Sequence, residues 1–350
     1  MFFYIVIFLA VSLLGVSKFK YKNFSMIFLL FTVSAVRFDV GFDFLSYYTS
    51  IVQFKPGDMT YIRFGLLHGG LIELSNYINF PQLYFIITSA VMYLFFHLAI
   101  KNHSENYFYS ILIFISIPFF FLMSVNFIKQ FTAMAVVLYS TKYIFSRSFL
   151  KFFCFILLAT MLHTTAFACL FLYFLYRKKI PSVILIAFFI SSFFSFSLAQ
   201  KLVDTIFPFY SHYLLVKVEG GKMFQLLLIV IFSLFILIRK LFPDKETHFY
   251  FYAFTLGACI YNTFQPIGFS ATRISYYLLV YLVLLVPSLG VRIRKPQFSL
   301  VILSLTFPLF VISLYVNSKV GTRSPSIPYQ VFIYKNIHDI RPYGWVKKDE

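Results

Sequence analysis

The sequence predicts an all-helical membrane protein that crosses the bilayer many times. Of its 350 residues, 60% are hydrophobic and only 12% are charged. Apolar runs recur from end to end, and a bilayer core about 30 Å thick needs roughly 20 consecutive apolar residues in a helix. The runs are continuously apolar and do not alternate with period two, so helices rather than β-strands are expected to span the membrane.

The spans follow one another with short loops between most of them. About eleven are predicted from the apolar runs, at 2–16, 24–36, 81–100, 107–124, 127–145, 152–176, 180–199, 223–238, 249–265, 274–291 and 298–316. No basic residue precedes the first run, and Lys18, Lys20 and Lys22 follow it. This charge pattern favours a retained first span over a cleaved signal peptide.

Three segments are more polar than the spans. Two are loops, 37–80 and 200–222, and the first contains the amphipathic stretch 59–78, which predicts a helix on the outer membrane surface. The third is the basic tail, 317–350. We therefore expect one transmembrane domain, 1–316, that includes both loops, followed by a polar C-terminal tail. Both loops and the tail are expected on the outer side.

The apolar stretch 152–176 decides the topology of the second half of the chain. Lys151 precedes it and a basic cluster, 177–179, follows it. If the stretch crosses once, that cluster lies outside, against the preference of basic loops for the cytoplasm. If it breaks near His163, both basic ends stay inside. We expect the broken, re-entrant form, because interrupted helices are tolerated at membrane depth where they are buried or line a cavity.

Ionisable residues near the spans are the candidates for function, because a charge at the bilayer centre costs about 2.5–3.5 kcal/mol on insertion scales. These candidates are Arg37, Asp39, Asp43, Lys129, His163 and Arg273. Under the broken topology all of them gather towards the outer face. The stretch 37–43 puts a cation beside two carboxylates. It is either a site for an acceptor sugar or a phosphate, or a solvated helix end. Gly41 indicates a turn and favours the site.

The other candidates each have a functional and a structural interpretation. Lys129 suits a phosphate as a point charge, or is a snorkelling interfacial lysine. His163, beside two threonines, can accept a proton at neutral pH, or is a satisfied core histidine. Arg273 can fork around phosphate oxygens, or anchors a helix at the interface.

Four short motifs occur in a fixed order along the chain. They are Arg37, Gly41, Asp43 and Tyr47; Lys129, Gln130 and Ala133; Leu158, Ala159, His163, Thr165 and Ala166; and Arg273, Tyr276 and Tyr277. Together they resemble the EpsG/Wzy-type polysaccharide polymerases, and Pro328-Tyr329 is similar to that family's terminal Pro-Tyr. The resemblance covers most of the chain. One departure is Lys129, where the family usually has arginine, so the bidentate fork is lost.

The resemblance implies a GT-C-like glycosyltransferase of the bacterial inner membrane, with its active site facing the periplasm. It would polymerise undecaprenyl-diphosphate-linked repeat units of O-antigen or a related polymer. No cofactor and no metal are expected, because basic side chains can stabilise a leaving diphosphate. The expected partners are the lipid-linked glycan, the bilayer, and a chain-length regulator and a flippase of the same pathway.

The residues are assigned roles on the same basis. Diphosphate binding falls to Arg37, Lys129 and Arg273. The acceptor hydroxyl would lose its proton to His163 or Asp43. Sugar binding falls to Asp39, Tyr47, Gln130 and Tyr277.

Other functions stay open at this point. A flippase for lipid-linked sugars would share the basic groups but needs a path through both leaflets, whereas the cytoplasmic charges lie in short topogenic loops. A ligase that transfers finished glycan is not excluded by any motif. A membrane acyltransferase using His163 is a weaker match, since no His with an adjacent Asp or Asn is visible. The net charge of +18 is explained by the loops and does not indicate a nucleic-acid partner.

Overall fold

The computed structural model describes residues 1–55, 57, 63–118, 120–206, 221–242, 244–267, 272–290, 295–318 and 326–340. The described elements are helices, and they confirm the all-helical prediction. In chain order the α-helices are α1 (Phe2–Val16), α2 (Lys22–Ala35), α3 (Phe44–Val52), α4 (Leu66–Tyr77), α5 (Gln82–His103), α6 (Tyr107–Ser116), α7 (Phe121–Ser124), α8 (Ile128–Phe145), α9 (Phe149–Leu162), α10 (Leu172–Leu175), α11 (Ser182–Ser191), α12 (Phe196–Ile206), α13 (Lys222–Ile238), α14 (Lys245–Phe264), α15 (Tyr276–Leu279), α16 (Leu282–Leu289) and α17 (Lys295–Ser318).

Membrane-capable helices are fewer than the sequence predicts. Among the described residues, three helices are long and apolar enough to cross a membrane: Gln82–His103, Lys222–Leu241 and Leu300–Ser318. The pair α11 and α12 adds a fourth if it is a single span, although it bends by 77°. The protein is therefore membrane-embedded, whereas eleven spans and a GT-C-like arrangement stay predictions.

The centre of the molecule is formed by α5 and α8. Helix α5 packs against α2 and α8, and α8 packs against α9. Both α5 and α8 are apolar on most of their circumference, which is the pattern of a helix surrounded by other helices. One polar pair inside the bundle links α8 to a later helix: Thr141 on α8 and Tyr281 share a hydroxyl hydrogen bond of 2.8 Å.

The chain reverses at His163, and this confirms the predicted break. Helix α9 ends at Leu162, His163 is extended, and a 3₁₀ helix follows over Thr164–Phe171. The Tyr173 hydroxyl donates to the Arg147 carbonyl at 2.9 Å, so the chain returns beside the start of α9. We call residues 149–175 the hairpin, with His163 at its tip. Both basic ends therefore lie at the same end of the hairpin.

Two other predicted spans are interrupted. The span 107–124 divides into α6 and α7 around Pro118, because a proline disfavours helical backbone at the residue before it, here Ile117, whose ψ is 127°. The span 180–199 divides into α11 and α12. Serine hydroxyls bond back to the helix there, with Ser195 Oγ donating to the Ser191 carbonyl at 3.1 Å, a contact that often bends helices.

The C-terminal segment packs back onto the loop that follows α2. We call residues 36–43 the site turn and residues 326–340 the tail segment. The Phe38 amide donates to the Gln330 carbonyl at 2.8 Å, and the Phe332 amide donates to the Val36 carbonyl at 3.0 Å. The tail segment therefore holds the site turn by backbone pairing.

Parts of the predicted loops lie outside the described residues. They are 56 and 58–62 of the loop 37–80, which include the start of the predicted surface helix, 207–220 of the loop 200–222, the basic loop at 291–294, and 319–325 and 341–350 of the polar tail. The predicted surface helix 59–78 is observed as α4 from Leu66 onward. Helix α3 inside the loop 37–80 was not predicted.

Candidate functional site

The site turn holds Asp43 against the start of α8. Gly41 has a φ of +108°, a region that side-chain-bearing residues rarely adopt. An added Cβ there would overlap the Val125 carbonyl oxygen, so only glycine permits this approach. The Phe42 amide donates to Asn126 Oδ1 at 2.7 Å, and Asn126 Nδ2 donates to the Leu122 carbonyl at 2.8 Å. Asp43 is the N-cap residue of α3, which begins at Phe44.

Two cations lie within electrostatic range of the Asp43 carboxylate. The charges of Arg273 and Lys129 both act on Asp43. Burial raises the pKa of the Asp43 carboxyl above its ordinary value, and these two cations offset part of that rise. Lys129 lies in the first turn of α8, and its Nζ is 5.5 Å from the centre of the Phe64 ring.

Arg273 is held by the residue that follows Lys129. Gln130 Nε2 donates to the Arg273 carbonyl at 2.6 Å. The Arg273 guanidinium lies 4.5 Å from the centre of the Phe127 ring, within the range of a cation–π contact. Gln130 is buried, so its contact in the structure positions Arg273, and its predicted contact with sugar stays a prediction.

The tip of the hairpin brings His163 to the same cations. His163 Nδ1 is 2.7 Å from Thr165 Oγ1 and 3.3 Å from the Tyr277 hydroxyl. Among the described residues, no hydrogen-bond partner is found for its Nε2. A tautomer in which Nδ1 donates to Thr165 leaves a lone pair on Nε2. The charges of Lys129 and Arg273 both reach His163.

Four ionisable side chains thus converge from four separate segments: Asp43, Lys129, His163 and Arg273. We call this set the ionisable cluster. All four are partly exposed, so a ligand can reach them. The cluster combines two cations with one carboxylate and one imidazole. The cations are suited to bind an anionic ligand, and the carboxylate or the imidazole is suited to accept a proton in a reaction beside it.

Arg37 and Asp39 lie apart from that accessible set. Arg37 is 1% exposed and Asp39 is fully buried. The Arg37 Nη1 donates to the Ser34 carbonyl, and the guanidinium lies 5.1 Å from the centre of the Phe85 ring. Burial lowers the pKa of Arg37 to about 10, while the hydroxyl of Tyr329 in the tail segment counters this effect. Arg37 therefore remains charged and faces the tail segment.

The two tyrosines predicted to stack on sugars are buried. Tyr47 is 3% exposed and packs against Tyr84 with ring centres 4.9 Å apart. Tyr277 is 1% exposed, and its hydroxyl contacts His163. In the structure both rings pack inside the protein next to the ionisable cluster. Their sugar contacts stay predictions.

A family comparison covers this whole arrangement. The model of the EpsG family matches residues 20–331. The chain belongs to the EpsG family. The match includes the ionisable cluster and the site turn, and it confirms the resemblance carried by the motifs. Comparison with curated proteins and with solved structures gives no match.

Membership in the EpsG family gives a coarse function. The chain is a polymerase-type membrane protein of polysaccharide biosynthesis, with the character of a glycosyltransferase. Among the described residues, no group of three His, Cys, Asp or Glu side chains is arranged to hold a metal ion.

The sequence analysis missed two side chains beside the cluster. Arg63 is exposed, its Nη2 donates to Ser46 Oγ at 3.1 Å, and its charge reaches Lys129. His68 on α4 is fully buried and bonds to the Tyr84 hydroxyl at 2.8 Å. Burial lowers the pKa of His68 to about 3, so it stays neutral. The amphipathic stretch pointed to a surface helix, but nothing in its sequence indicated that it would pack beside Lys129.

Proposed function

We propose that the protein joins undecaprenyl-diphosphate-linked oligosaccharide repeat units at the periplasmic face of the bacterial inner membrane. The proposal rests on the ionisable cluster of Asp43, Lys129, His163 and Arg273 in a member of a polysaccharide-polymerase family. A lipid-diphosphate donor needs cationic side chains for its phosphates and a base for the acceptor hydroxyl.

The cations would hold the donor and stabilise its leaving group. Arg273 would fork around the diphosphate oxygens and Lys129 would add a point charge. As the bond between the anomeric carbon and the diphosphate breaks, its electron pair passes to the phosphate oxygen. Both cations would stabilise the charge that develops there. Arg63, exposed beside Lys129, would take the second lipid diphosphate.

The acceptor hydroxyl would attack the anomeric carbon while it loses its proton. His163 and Asp43 are the two bases of the cluster. His163 is the better candidate, because Thr165 and Tyr277 fix its Nδ1 and leave Nε2 for the proton. Asp43 would then hold the acceptor sugar through its hydroxyl groups, or take the proton itself.

The buried predicted residues have supporting roles in this proposal. Gln130 would orient Arg273, and Tyr277 would orient His163. Arg37 would position the site turn through Ser34 and the tail segment, while its predicted contact with a diphosphate stays open to test. The reaction needs no cofactor in this scheme, and a chain-length regulator and a flippase would act with the protein in its pathway.

The test is the glycan pattern of a strain that lacks the gene and carries a variant. His163→Gln keeps a hydrogen bond but removes the base, and a lost general base costs about 10²–10⁴-fold. We expect a lipid core bearing one repeat unit and no long chains, with normal protein levels in the membrane. The matched control is His97→Gln. His97 lies on α5, and its Nδ1 is 2.8 Å from the Tyr107 hydroxyl. This variant should keep the full ladder.

Two outcomes would contradict the proposal. A full ladder from His163→Gln would remove the base role and leave Asp43 as the remaining base of the cluster. A complete loss of capped core in the gene deletion would indicate a ligase, because a polymerase mutant still transfers the single unit.

A further inference from the structure

A polar cavity lies away from the ionisable cluster. It has a volume of about 710 Å³ and is lined by basic residues and one carboxylate: Arg177, Lys178, Lys179, Arg239, Lys245 and Asp244. We call it the basic cavity. Residues 177–179 follow α10 at the end of the hairpin opposite to His163. The basic cavity and the ionisable cluster are therefore at opposite ends of the hairpin.

Arg239 connects the elements that form the basic cavity through hydrogen bonds. Its Nη1 donates to Ser182 Oγ at 2.9 Å, and its Nη2 donates to the Tyr252 hydroxyl at 2.8 Å and to the Ile180 carbonyl. The Ile180 amide also donates to the Tyr252 hydroxyl at 3.3 Å. These bonds tie α11, α13 and α14 together at one end, so the cavity is built from fixed helix ends.

The other basic residues that line the cavity are accessible to a ligand. Arg177, Lys178, Lys179 and Lys245 are exposed, so their charged ends can move towards a ligand. Helices α11 and α14 both begin at the cavity, and the positive end of a helix dipole favours an anion. The Asp244 carboxylate accepts the Thr247 amide at 2.7 Å, so it is already used in capping α14.

One polar atom in the cavity wall has no protein partner. His248 Nδ1 is buried and, within the part of the chain that the structure describes, makes no hydrogen bond. The His248 ring is held between Phe242, with ring centres 5.3 Å apart, and Tyr252, with ring centres 6.1 Å apart. The ring is therefore a fixed part of the cavity wall, while its buried Nδ1 is shielded from the cavity.

We propose that the basic cavity binds a phosphate-bearing anion. The chemistry is that of a phosphate ester, and its source is either an anionic phospholipid head group or a soluble phosphate compound. Five basic side chains and one capped carboxylate line the cavity, so its net charge is positive and favours an anion. Basic pockets between helices near the membrane surface bind anionic head groups, and the volume is in the range of small-ligand sites.

The experiment uses the full chain, purified in a neutral detergent. Thermal unfolding is followed while short-chain phosphatidylglycerol, phosphatidylcholine or inorganic phosphate is added. Lys179→Gln and Lys245→Gln each remove one charge from the cavity, and both side chains are exposed. Lys240→Gln is the matched control, because Lys240 is an exposed neighbour of Arg239 outside the lining of the cavity.

We expect phosphatidylglycerol or phosphate, but not phosphatidylcholine, to raise the unfolding temperature. Each cavity variant should weaken the apparent affinity about fivefold, since one basic residue near an anionic head group contributes about that factor. A rise with phosphatidylglycerol alone assigns a lipid ligand, and a rise with inorganic phosphate assigns a soluble one.

Two results would overturn the proposal. One is the absence of stabilisation by either phosphate compound in the unmodified protein. The other is an equal loss of affinity in Lys240→Gln, which would mean a general response to positive charge. A cavity variant that unfolds early without any ligand is replaced by the other one, so the comparison with Lys240→Gln still decides.

Discussion

The substitution Gly41→Ala tests whether the site turn determines the position of Asp43. The φ of +108° at Gly41 costs an alanine about 1–3 kcal/mol. The added Cβ would also overlap the Val125 carbonyl oxygen, a backbone atom held at the start of α8. Forcing a methyl group into such a contact costs about another 1–3 kcal/mol. We therefore expect a total destabilisation of about 2–6 kcal/mol.

The same strain should displace the Asp43 carboxylate, for which we propose a role in the reaction. The turn can relieve the overlap only by moving away from Val125, and Asp43 follows Gly41 by two residues. A displacement of about 1 Å can cost about 10²-fold in rate. The assays are thermal unfolding in detergent and the length of the glycan chains made in cells. We expect short chains even at a growth temperature where the variant protein is present at normal levels.

Two other glycines provide matched controls. Gly57 also has a positive φ, of +96°, but an added Cβ would meet no atom within 4 Å, so Gly57→Ala should show only the backbone cost. Gly70 lies within α4, without a positive φ and with open space around it, so Gly70→Ala should stabilise the protein by about 0.5–1 kcal/mol. If Gly41→Ala is no less stable than Gly57→Ala and makes full-length chains, the reasoning is refuted.

Three further predictions concern charge and topology. Ionisation of the Asp43 carboxylate should contribute to a fall in activity on acidification, with a midpoint above 3.8, since burial raises the Asp43 pKa above that value. Asp43→Asn should be weakly active and lose this contribution, while the contribution from protonation of His163 stays. Arg273→Lys should lower the polymerisation rate about 10–100-fold by loss of charged hydrogen bonds, whereas Lys129→Arg should keep the rate of the unmodified enzyme. If Arg273→Lys also keeps that rate, Arg273 is a topology anchor. A reporter fused after Lys179 should indicate cytoplasm and one within 200–222 periplasm; periplasmic activity after Lys179 would contradict the re-entrant hairpin.

Sequence patterns predicted the helical class and the convergence of four of the six candidate groups, Asp43, Lys129, His163 and Arg273, whereas Arg37 and Asp39 are buried apart from them. Apolar runs gave helices such as Gln82–His103 with bounds close to those observed, because a helix surrounded by apolar material needs a continuous apolar sequence. The basic residues on both sides of 152–176 predicted the reversal at His163. That reversal is what carries the imidazole to the cations at Lys129 and Arg273.

The positions of Arg37, Tyr47 and Tyr277 were not predicted from the sequence, because they depend on tertiary contacts. Arg37 was predicted beside Asp43 because the two share one loop, but it faces Ser34 and the tail segment. No local pattern indicates the contact with the tail segment, since Tyr329 lies near the other end of the chain. The burial of Tyr47 and Tyr277 likewise depends on neighbours such as Tyr84, which the spacing of residues along the chain does not reveal.

The pairing between the site turn and the tail segment has a consequence for biosynthesis. The Tyr329 hydroxyl bonds to the Val33 carbonyl across a separation of 296 residues, and the backbone of Val36 and Phe38 pairs with the same late segment. Those partners do not exist until nearly the whole chain has been translated and inserted. The turn that carries Asp43 is therefore completed last. A chain interrupted before residue 326 would enter the membrane with its helices formed but without the segment that pairs with the site turn.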